Sequence, residues 1–261
     1  MSAEARWREE ARFFDGVAAG KKESVTRLDP LVVARYRNPG SLHPKEYAFR
    51  LLGDLRGKAV LDVGCGEGEN CLLLASLGAK VTGIDISPGA IEVARRRAEL
   101  DQFDIDLVCS PIEAAPLPPR SFDFILCDNV LHHLLEVLGE TFEHFRGWLR
   151  PGGRIIAIEP VNLSPLVHRV RQLVPIRTEA TPGERPLESA DISLMRRHVA
   201  ELRTRTFWLF GRLVRFVLPN GQYEHAPPSR RAAADALALA DAAILQRFSS
   251  LGAMAVFDGR L

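Results

Sequence analysis

The stretch from Val60 to Gly68 constrains the fold of this chain more than any other, and its sequence is VLDVGCGEG. An apolar run of strand length passes through the acidic Asp62 into a turn with glycine at alternate positions. Because glycine lacks a β-carbon, such a turn can adopt positive φ angles and bring a ligand close to bare backbone amides. The next residues, Asn70 to Leu77, have the pattern of an amphipathic helix whose N-terminal NH groups face the same ligand. The sequence therefore predicts a strand, a glycine turn and a helix that together bind a nucleotide-like cofactor.

A second apolar run, from Ala79 to Asp85, ends in a carboxylate and predicts the next buried strand. An acid at this strand end can accept hydrogen bonds from both hydroxyls of a ribose, and charge-assisted bonds of this kind contribute roughly 1.5 to 3 kcal/mol each. Ser87 and Pro88 are the residue types favoured at a helix N-cap and at the first helical position. We therefore expect a helix from Gly89 to Glu99.

The glycine spacing differs from that of dinucleotide-binding turns, which need a third glycine three residues after the second. Glu69 takes that position, which disfavours a nicotinamide-dependent reductase. The order of acid and glycines instead resembles motif I of the class I S-adenosyl-L-methionine (SAM) dependent methyltransferases. Two later segments resemble the same family: Ser121 to Leu134 its fourth strand and following loop, and Leu149 to Pro160 its turn and fifth strand. The resemblance covers residues 58–160.

The resemblance implies an α/β fold with a Rossmann-like sheet of seven strands in the order 3-2-1-4-5-7-6, the last strand antiparallel. Helices cover both faces of this sheet, and an N-terminal helical lid closes over the cofactor. The alternation of apolar runs with helical patterns independently favours a parallel sheet. The predicted strands are Ala59–Asp62, Lys80–Ile84, Ile105–Cys109, Phe122–Cys127 and Arg154–Ile158, with later ones near Thr204–Phe210 and Ala253–Phe257. The predicted later helices lie near Asp191–Leu202 and over Ser229–Ser250.

These patterns divide the chain into four segments. Residues 1–57 are expected to form the helical arm, in which Arg35 to Pro44 has an irregular pattern, and residues 58–160 the SAM-binding core. Residues 161–190 are predicted to be an irregular insert and a substrate lid, since prolines crowd this stretch, with a short helix from Leu163 to Leu173. Residues 191–261 are expected to complete the same α/β domain.

The resemblance also implies which residues contact SAM and its product S-adenosyl-L-homocysteine. These residues are Asp62, Gly64, Cys65, Gly66, Asp85, Ile86, Pro111, Ile112, Asp128 and Asn129. The chain departs from the family after the third strand, where an aspartate usually approaches the adenine amino group and where this sequence has Ser110, Pro111 and Ile112. Pro111 offers no NH group, so adenine would depend on the Ile112 NH, nearby carbonyls and apolar packing.

His132 and His133 follow the fourth strand and are the leading candidates for a general base, because histidine titrates near neutral pH. Such pairs are frequent in this loop of the family, and one of them can instead pack or bond to the backbone. A metal is not expected, since no nearby carboxylate or third histidine has ligand spacing. Weaker candidates for the site are Tyr36, His43, Tyr223 and His225.

Composition limits the partners. The formal net charge of +1 provides no broad field for nucleic acid, and the fourth strand ends in DNVL rather than the Asn-Pro-Pro-aromatic pattern of base methylases. No apolar run approaches the roughly 20 residues of a membrane span, and the N-terminal residues lack the apolar core of a signal peptide, so a cytoplasmic location is expected. The cysteines lack CxxC spacing and are interpreted as buried thiols, with a reactive Cys65 at a helix start as the alternative.

We therefore expect a SAM-dependent methyltransferase acting on a small, lipid-like or secondary-metabolite acceptor through oxygen, carbon or nitrogen. The alternative is an enzyme of the same fold that binds SAM and catalyses a non-methylating reaction. The segment from Arg205 to Pro219 is dense in aromatic and arginine residues. Ordinary packing is favoured there, with an acceptor pocket or a peripheral membrane contact as alternatives. The oligomeric state is left open.

Overall fold

The computed structural model describes residues 3–20, 25–165, 169, 184–218 and 223–261. Its centre is a seven-stranded sheet of order β3-β2-β1-β4-β5-β7-β6, which confirms the predicted order. The strands are β1 (Ala59–Val63), β2 (Lys80–Asp85), β3 (Ile105–Cys109), β4 (Phe122–Asp128), β5 (Leu149–Pro160), β6 (Glu201–Phe207) and β7 (Met254–Arg260). Strands β1 to β5 pair in parallel, whereas β7 is antiparallel to both β5 and β6, as expected.

Helices cover both faces of the sheet. In the described part of the chain they are α1 (Ala3–Ala19), α2 (Pro30–Arg37), α3 (Pro44–Leu52), α4 (Glu69–Ser76), α5 (Pro88–Asp101), α6 (Leu138–Trp148), α7 (Ser189–His198), α8 (Gly211–Val217) and α9 (Pro228–Leu245). Ser87 caps α5 as predicted, because its hydroxyl accepts a hydrogen bond from the Ala90 NH at 3.0 Å. No described helix has the length and apolar content needed to cross a membrane.

Two apolar clusters, one on each face of the sheet, form the core. In β1, Leu61 belongs to the cluster that contains Phe142 and Phe145 of α6, whereas Val60 belongs to the cluster that contains Phe49 of α3. Successive strand residues point to opposite faces, so a strand covered on both sides must be apolar at nearly every position. This is why the central strands have continuous apolar runs instead of an alternating pattern.

The element ends after β5 differ from the predicted ones. Helix α7 ends at His198, not near Leu202, because Val199 is extended and the Ala200 NH donates to the Arg260 carbonyl of β7. Strand β6 begins at Glu201 and stops at Phe207, since Trp208 has a positive φ of 64°. Helix α9 ends at Leu245 and is followed by a 3-10 turn over Ser249–Leu251. Most of the helix predicted over 163–173 lies outside the described residues.

The N-terminal arm begins with α1, which packs against α5. Asp15 of α1 accepts hydrogen bonds from the Ser87 hydroxyl at 2.6 Å and the Gly89 NH at 2.8 Å. These bonds place the C-terminal half of α1 beside the carboxyl end of β2. The irregular stretch of the arm covers residues 38–43, and residues 35–37 belong to α2 rather than to that stretch.

Candidate cofactor-binding site

The glycine turn after β1 has the backbone that its sequence predicts. Gly64 and Gly66 have φ angles of 66° and 50°. A β-carbon on Gly64 would lie 2.5 Å from a methyl group of Val130, whereas one on Gly66 would meet nothing within 4 Å. Gly64 therefore lets the loop after β4 pack closely against the turn, and Gly66 leaves open space above it.

Asp85 links this turn to the start of α5. Its carboxylate accepts hydrogen bonds from the Gly66 NH at 2.8 Å and from the Ser87 NH at 2.9 Å. Burial raises the pKa of Asp85, while the backbone donors oppose this shift. A carboxylate has about four lone-pair sites, so Asp85 keeps acceptor capacity for a ligand.

A cavity lies above the carboxyl ends of the central strands, and α1 forms its cover. The predicted contact residues that line it are Gly64, Gly66, Asp85, Ile86, Pro111, Ile112 and Asn129. His133 is also in its wall. From α1 the cavity is lined by Arg6, Trp7, Glu10 and Phe14. The spacing of Arg6, Glu10 and Phe14 by four residues was the signal that could have identified this face.

Three other predicted contact residues do not line this cavity. Asp62 lies beneath the turn, 1% exposed, and accepts a hydrogen bond from the Cys71 thiol at 3.2 Å. Its other carboxylate oxygen has no hydrogen-bond partner among the described residues. Burial raises the pKa of Asp62 to about 7, because the charged form is poorly solvated there.

Cys65 is buried as well. Its hydrogen bond with Cys71 lowers the pKa of the Cys65 thiol, but burial and the charges of Asp62 and Asp85 raise it by more. Burial and the raised pKa of its thiol disfavour the alternative of a reactive Cys65. A small apolar thiol fits the turn.

Asp128, the last residue of β4, lies beside the first turn of α4 in a polar cluster. It accepts hydrogen bonds from the side-chain amides of Asn70, at 3.2 Å, and Asn129, at 2.8 Å. The Lys45 ammonium lies 3.8 Å from Asp128 and 3.0 Å from Glu69. Burial lowers the pKa of Lys45, but the charges of Glu69 and Asp128 raise it by more. Lys45 was not among the residues predicted from the sequence. It brings a positive charge from the N-terminal arm to Glu69 and Asp128.

The loop after β4 is held by Glu159, a fully buried residue of β5. Its carboxylate accepts hydrogen bonds from the NH groups of Val130, at 3.0 Å, and Leu131, at 2.7 Å, and bonds to His132 Nδ1 at 2.7 Å. On the other side of the ring, His132 Nε2 lies 3.0 Å from a Glu184 carboxylate oxygen. Burial lowers the pKa of His132, but Glu159 and Glu184 raise it by more. This histidine is enclosed between two acids.

His133 has a different environment. Its ring packs edge-on against Phe14 of α1, with 5.4 Å between the centroids. Burial and the neighbouring charge of His132 lower the pKa of His133. Its Nδ1 is buried without a hydrogen-bond partner in the described chain and lies 3.8 Å from Glu184. A histidine with a lowered pKa therefore lies in the cavity wall.

Glu184 corrects one argument made from the sequence, which found no carboxylate near the two histidines. Atoms of His132, His133 and Glu184 lie within 4.8 Å of one another and could hold a metal ion. Sequence spacing could not reveal this group, because Glu184 lies about 50 residues further along the chain, within the insert of residues 161–190. Both ring nitrogens of His132 are already occupied by carboxylates, and the expectation of no metal stays a prediction.

The weaker candidates lie in a separate cluster between the arm and α9. Asp235 of α9 accepts a hydrogen bond from the Tyr223 hydroxyl at 2.8 Å and lies 3.1 Å from His43. His225 contacts Asp29 at the N-terminus of α2. Tyr36 is buried against Phe49, with ring centroids 4.9 Å apart. None of these four side chains lines the cavity described above.

Residues 61–157 match the family model described as a methyltransferase domain. The ubiquinone biosynthesis O-methyltransferase of Methylocella silvestris is 42% identical over 148 residues, which cover 54% of this chain and 56% of that protein. The matched part of the chain is therefore similar to the methyltransferase domains of the class I SAM-dependent family. The chain spans about half the length of the curated relatives it matches.

Solved structures agree with the methyltransferase fold. The [4+2]-cyclase SpnF has a TM-score of 0.56 at 19% identity, covering 95% of this chain and 96% of that one. Phosphoethanolamine N-methyltransferase 2 of Haemonchus contortus, solved with SAM, has a TM-score of 0.55 at 16% identity, covering 95% and 59%. Similarity at this level concerns the fold alone.

SAM is the cofactor of the family that the chain resembles, and the cavity fits it. Gly66 has a positive φ and open space above it in the cavity, and Asp85 presents a carboxylate beside it. The unpartnered oxygen of Asp62 lies under the same turn. These features match a ligand with a ribose and a cationic group, because both need acceptors at close range.

Proposed function

We propose that this protein transfers the methyl group of SAM to a hydroxyl oxygen of a small, lipid-like acceptor. The observation that carries the proposal is the cavity in which the glycine turn, Asp85 and His133 meet under α1. The relative from Methylocella silvestris, an O-methyltransferase of ubiquinone biosynthesis, supports oxygen as the attacking atom. The lipid-like character of the acceptor is supported by the same relative and by the apolar walls around His133.

When bound, SAM supplies a methyl group on a sulfonium that is already activated for in-line displacement. Asp85 would hold the ribose hydroxyls, and the amides of the glycine turn would hold the neighbouring part of SAM. Asp62 and Asp128 do not line the cavity, and Asp62 is buried beneath the turn, so these two residues would act on the ammonium end only through their charge. Fixing the reacting groups in this way can supply about 7 to 11 kcal/mol of the barrier.

His133 acts as the general base in this proposal. Its lowered pKa keeps the imidazole neutral at pH 7, so a ring nitrogen can take the proton that the acceptor hydroxyl loses. His132 is a positioning residue, because both of its nitrogens bond to carboxylates and its side chain is only 6% exposed. The two adjacent histidines thus have different roles.

The first test is turnover. The purified protein is incubated with SAM and a series of phenols and catechols bearing alkyl tails of increasing length, and methyl ether and S-adenosyl-L-homocysteine are quantified together. We expect the two products in equal amounts, with a rate that rises with tail length. Conversion of an acceptor without S-adenosyl-L-homocysteine would instead indicate a non-methylating enzyme of this fold.

The second test is the ribose contact. Asp85→Ala should weaken S-adenosyl-L-homocysteine binding by roughly ten- to a hundredfold, because a charged hydrogen-bond acceptor is lost. Asp106→Ala is the control, since Asp106 is an exposed residue of the neighbouring strand β3. Calorimetric affinities that are equal in the two variants would contradict the placement of the ribose.

A further inference from the structure

The adenine end of the cavity lacks the acceptor that the family places after the third strand. Ser110 and Pro111 occupy that region, and the Ser110 hydroxyl donates to the Pro111 carbonyl at 3.0 Å. Neither side chain offers a carboxylate to an amino group. The exocyclic amine of adenine carries two hydrogens, so burying it without an acceptor would cost free energy.

Helix α1 brings a carboxylate to this end of the cavity. Arg6, Glu10 and Phe14 are four residues apart and therefore lie on one face of α1, the face that lines the cavity. Both ends of this face are anchored. Arg6 forms an ion pair with Glu113, next to Ile112, and Phe14 packs on His133. Glu10 lies between these two contacts on the same face and lines the same cavity as the segment after β3.

Glu10 differs from the other acid on this wall. Glu113 is paired with Arg6 and accepts a hydrogen bond from the Trp7 indole NH at 3.2 Å. Glu10 has no hydrogen bond or ion pair within the described chain. Burial raises the pKa of Glu10 to about 7, and the charge of Arg6 opposes this shift only in part. An acceptor without a partner thus faces a cavity that Trp7 and Phe14 otherwise make apolar.

We propose that the Glu10 carboxylate accepts a hydrogen bond from the exocyclic amino group of the adenine of SAM. The arm helix thereby replaces the aspartate that the family uses after its third strand. This inference rests on the proposed function, because it requires SAM in the cavity. It also predicts selectivity, since a 6-oxo purine would place a carbonyl oxygen against the carboxylate and be repelled.

The test compares two ligands by calorimetry: S-adenosyl-L-homocysteine and S-inosyl-L-homocysteine, which carries oxygen in place of the amine. The wild-type protein should prefer the adenosine ligand strongly. Glu10→Ala should weaken binding of the adenosine ligand about tenfold and leave the inosine ligand unchanged or tighter. Glu10→Gln should also reduce the preference for the adenosine ligand, because the glutamine amide can donate a hydrogen bond to the 6-oxo group of the inosine ligand. Glu9→Gln is the matched control, since Glu9 is exposed on the same helix and does not line the cavity.

A pH series adds a readout that a loss of packing would not produce. An amine donor favours the ionised carboxylate, so affinity for the adenosine ligand should rise as pH increases through about 7 in the wild type. In Glu10→Gln this rise should be clearly smaller than in the wild type, because only the titration of Asp62, whose pKa is also about 7, and of the other retained groups remains. Charged groups that face Glu10 from other elements are retained in both proteins: Glu113, Glu136, Asp85 and His133 on the neighbouring segments, and Arg6 and Glu9 on α1.

The two proposals fail in different ways. Equal ligand preference in the wild type and in Glu10→Ala would overturn the adenine contact while leaving SAM binding intact. A correctly folded wild-type protein that binds neither ligand at millimolar concentration would instead overturn the proposed function.

Discussion

At the scale of the residue, adjacent side chains of one type have opposite properties here. His132 lies between Glu159 and Glu184, and His133 lies against Phe14 in the cavity wall. The pKa of His132 is raised and that of His133 is lowered. The difference arises from which carboxylates each ring meets, and a sequence pair HH contains no such information.

The general-base role of His133 predicts a pH dependence. With the pKa of His133 below its usual value of about 6.5, the rate should rise with pH in the acidic range and level off by about pH 7. His133→Ala should lower the rate by roughly 10²- to 10⁴-fold and remove this rise. His144→Ala is the control, since His144 lies on α6 stacked against Trp148. A normal rate and profile in His133→Ala would leave positioning as the whole contribution of the protein.

At the scale of the element, the buried Glu159 of β5 forms a bridge of hydrogen bonds to the loop after β4 and holds that loop, with His132 and His133, in place. Glu159 reaches from β5 to the backbone NH groups of Val130, Leu131 and His132. A buried carboxylate with several donors replaces the hydration that it loses in the core. The position of His133 thus depends on a residue in a different strand.

This bridge gives the folded state a pH-dependent contribution. Because the folded-state pKa of His132 is raised, its stabilising effect is complete below the unfolded pKa of about 6.5 and is lost as pH rises through the folded value. His132→Gln should therefore cost on the order of 2 kcal/mol in unfolding free energy at pH 6. The cost should shrink toward pH 9.

Denaturant unfolding of both proteins across this pH range measures the difference. Asp62, whose pKa is about 7, titrates in both proteins. Its contribution therefore cancels when the unfolding free energy of His132→Gln is subtracted from that of the wild type. His198→Gln is the control, because His198 pairs with the exposed Glu143 and should have a small effect. A cost for His132→Gln that stays constant with pH would show that the charge of His132 contributes nothing to folding.

At the scale of the whole molecule, the C-terminal part presents an apolar surface. The segment 205–219 was expected to pack in the ordinary way, and its first part does: Phe207 is buried and Arg205 stacks on Tyr47 at 4.6 Å. The remainder differs. Trp208, Leu213 and Phe216 are 41%, 45% and 72% exposed. Large exposed apolar side chains near arginines are typical of surfaces that meet a lipid interface.

We therefore expect reversible binding to lipid vesicles, stronger when they contain anionic lipid. Phe216→Ser should reduce cosedimentation with phosphatidylglycerol vesicles severalfold, because one of the most exposed rings is removed. Leu31→Ser is the control, since Leu31 is 50% exposed on α2 and outside this segment. Equal sedimentation of wild type and Phe216→Ser would contradict a role for this surface in membrane contact.

The sequence by itself determined most strands of the sheet, the glycine turn, Asp85 at the end of β2 and Ser87 at the start of α5, whereas the strand order was implied by the family resemblance. These features depend on local patterns, since strand periodicity, glycine spacing and cap residues act over a few positions. The end of α7 and the start of β6 differ from the predicted positions, because pairing with β7 decides where the helix stops and the strand begins.

Only the tertiary structure decided which side chains share the cavity. Glu10 comes to it from α1, Lys45 reaches the neighbouring start of α4 from α3, and Glu184 reaches the histidines from within the insert. Their partners are distant in sequence, so no spacing rule could identify them. The different pKa values of His132 and His133 have the same origin, because burial and charge at a point in space depend on every element that packs there.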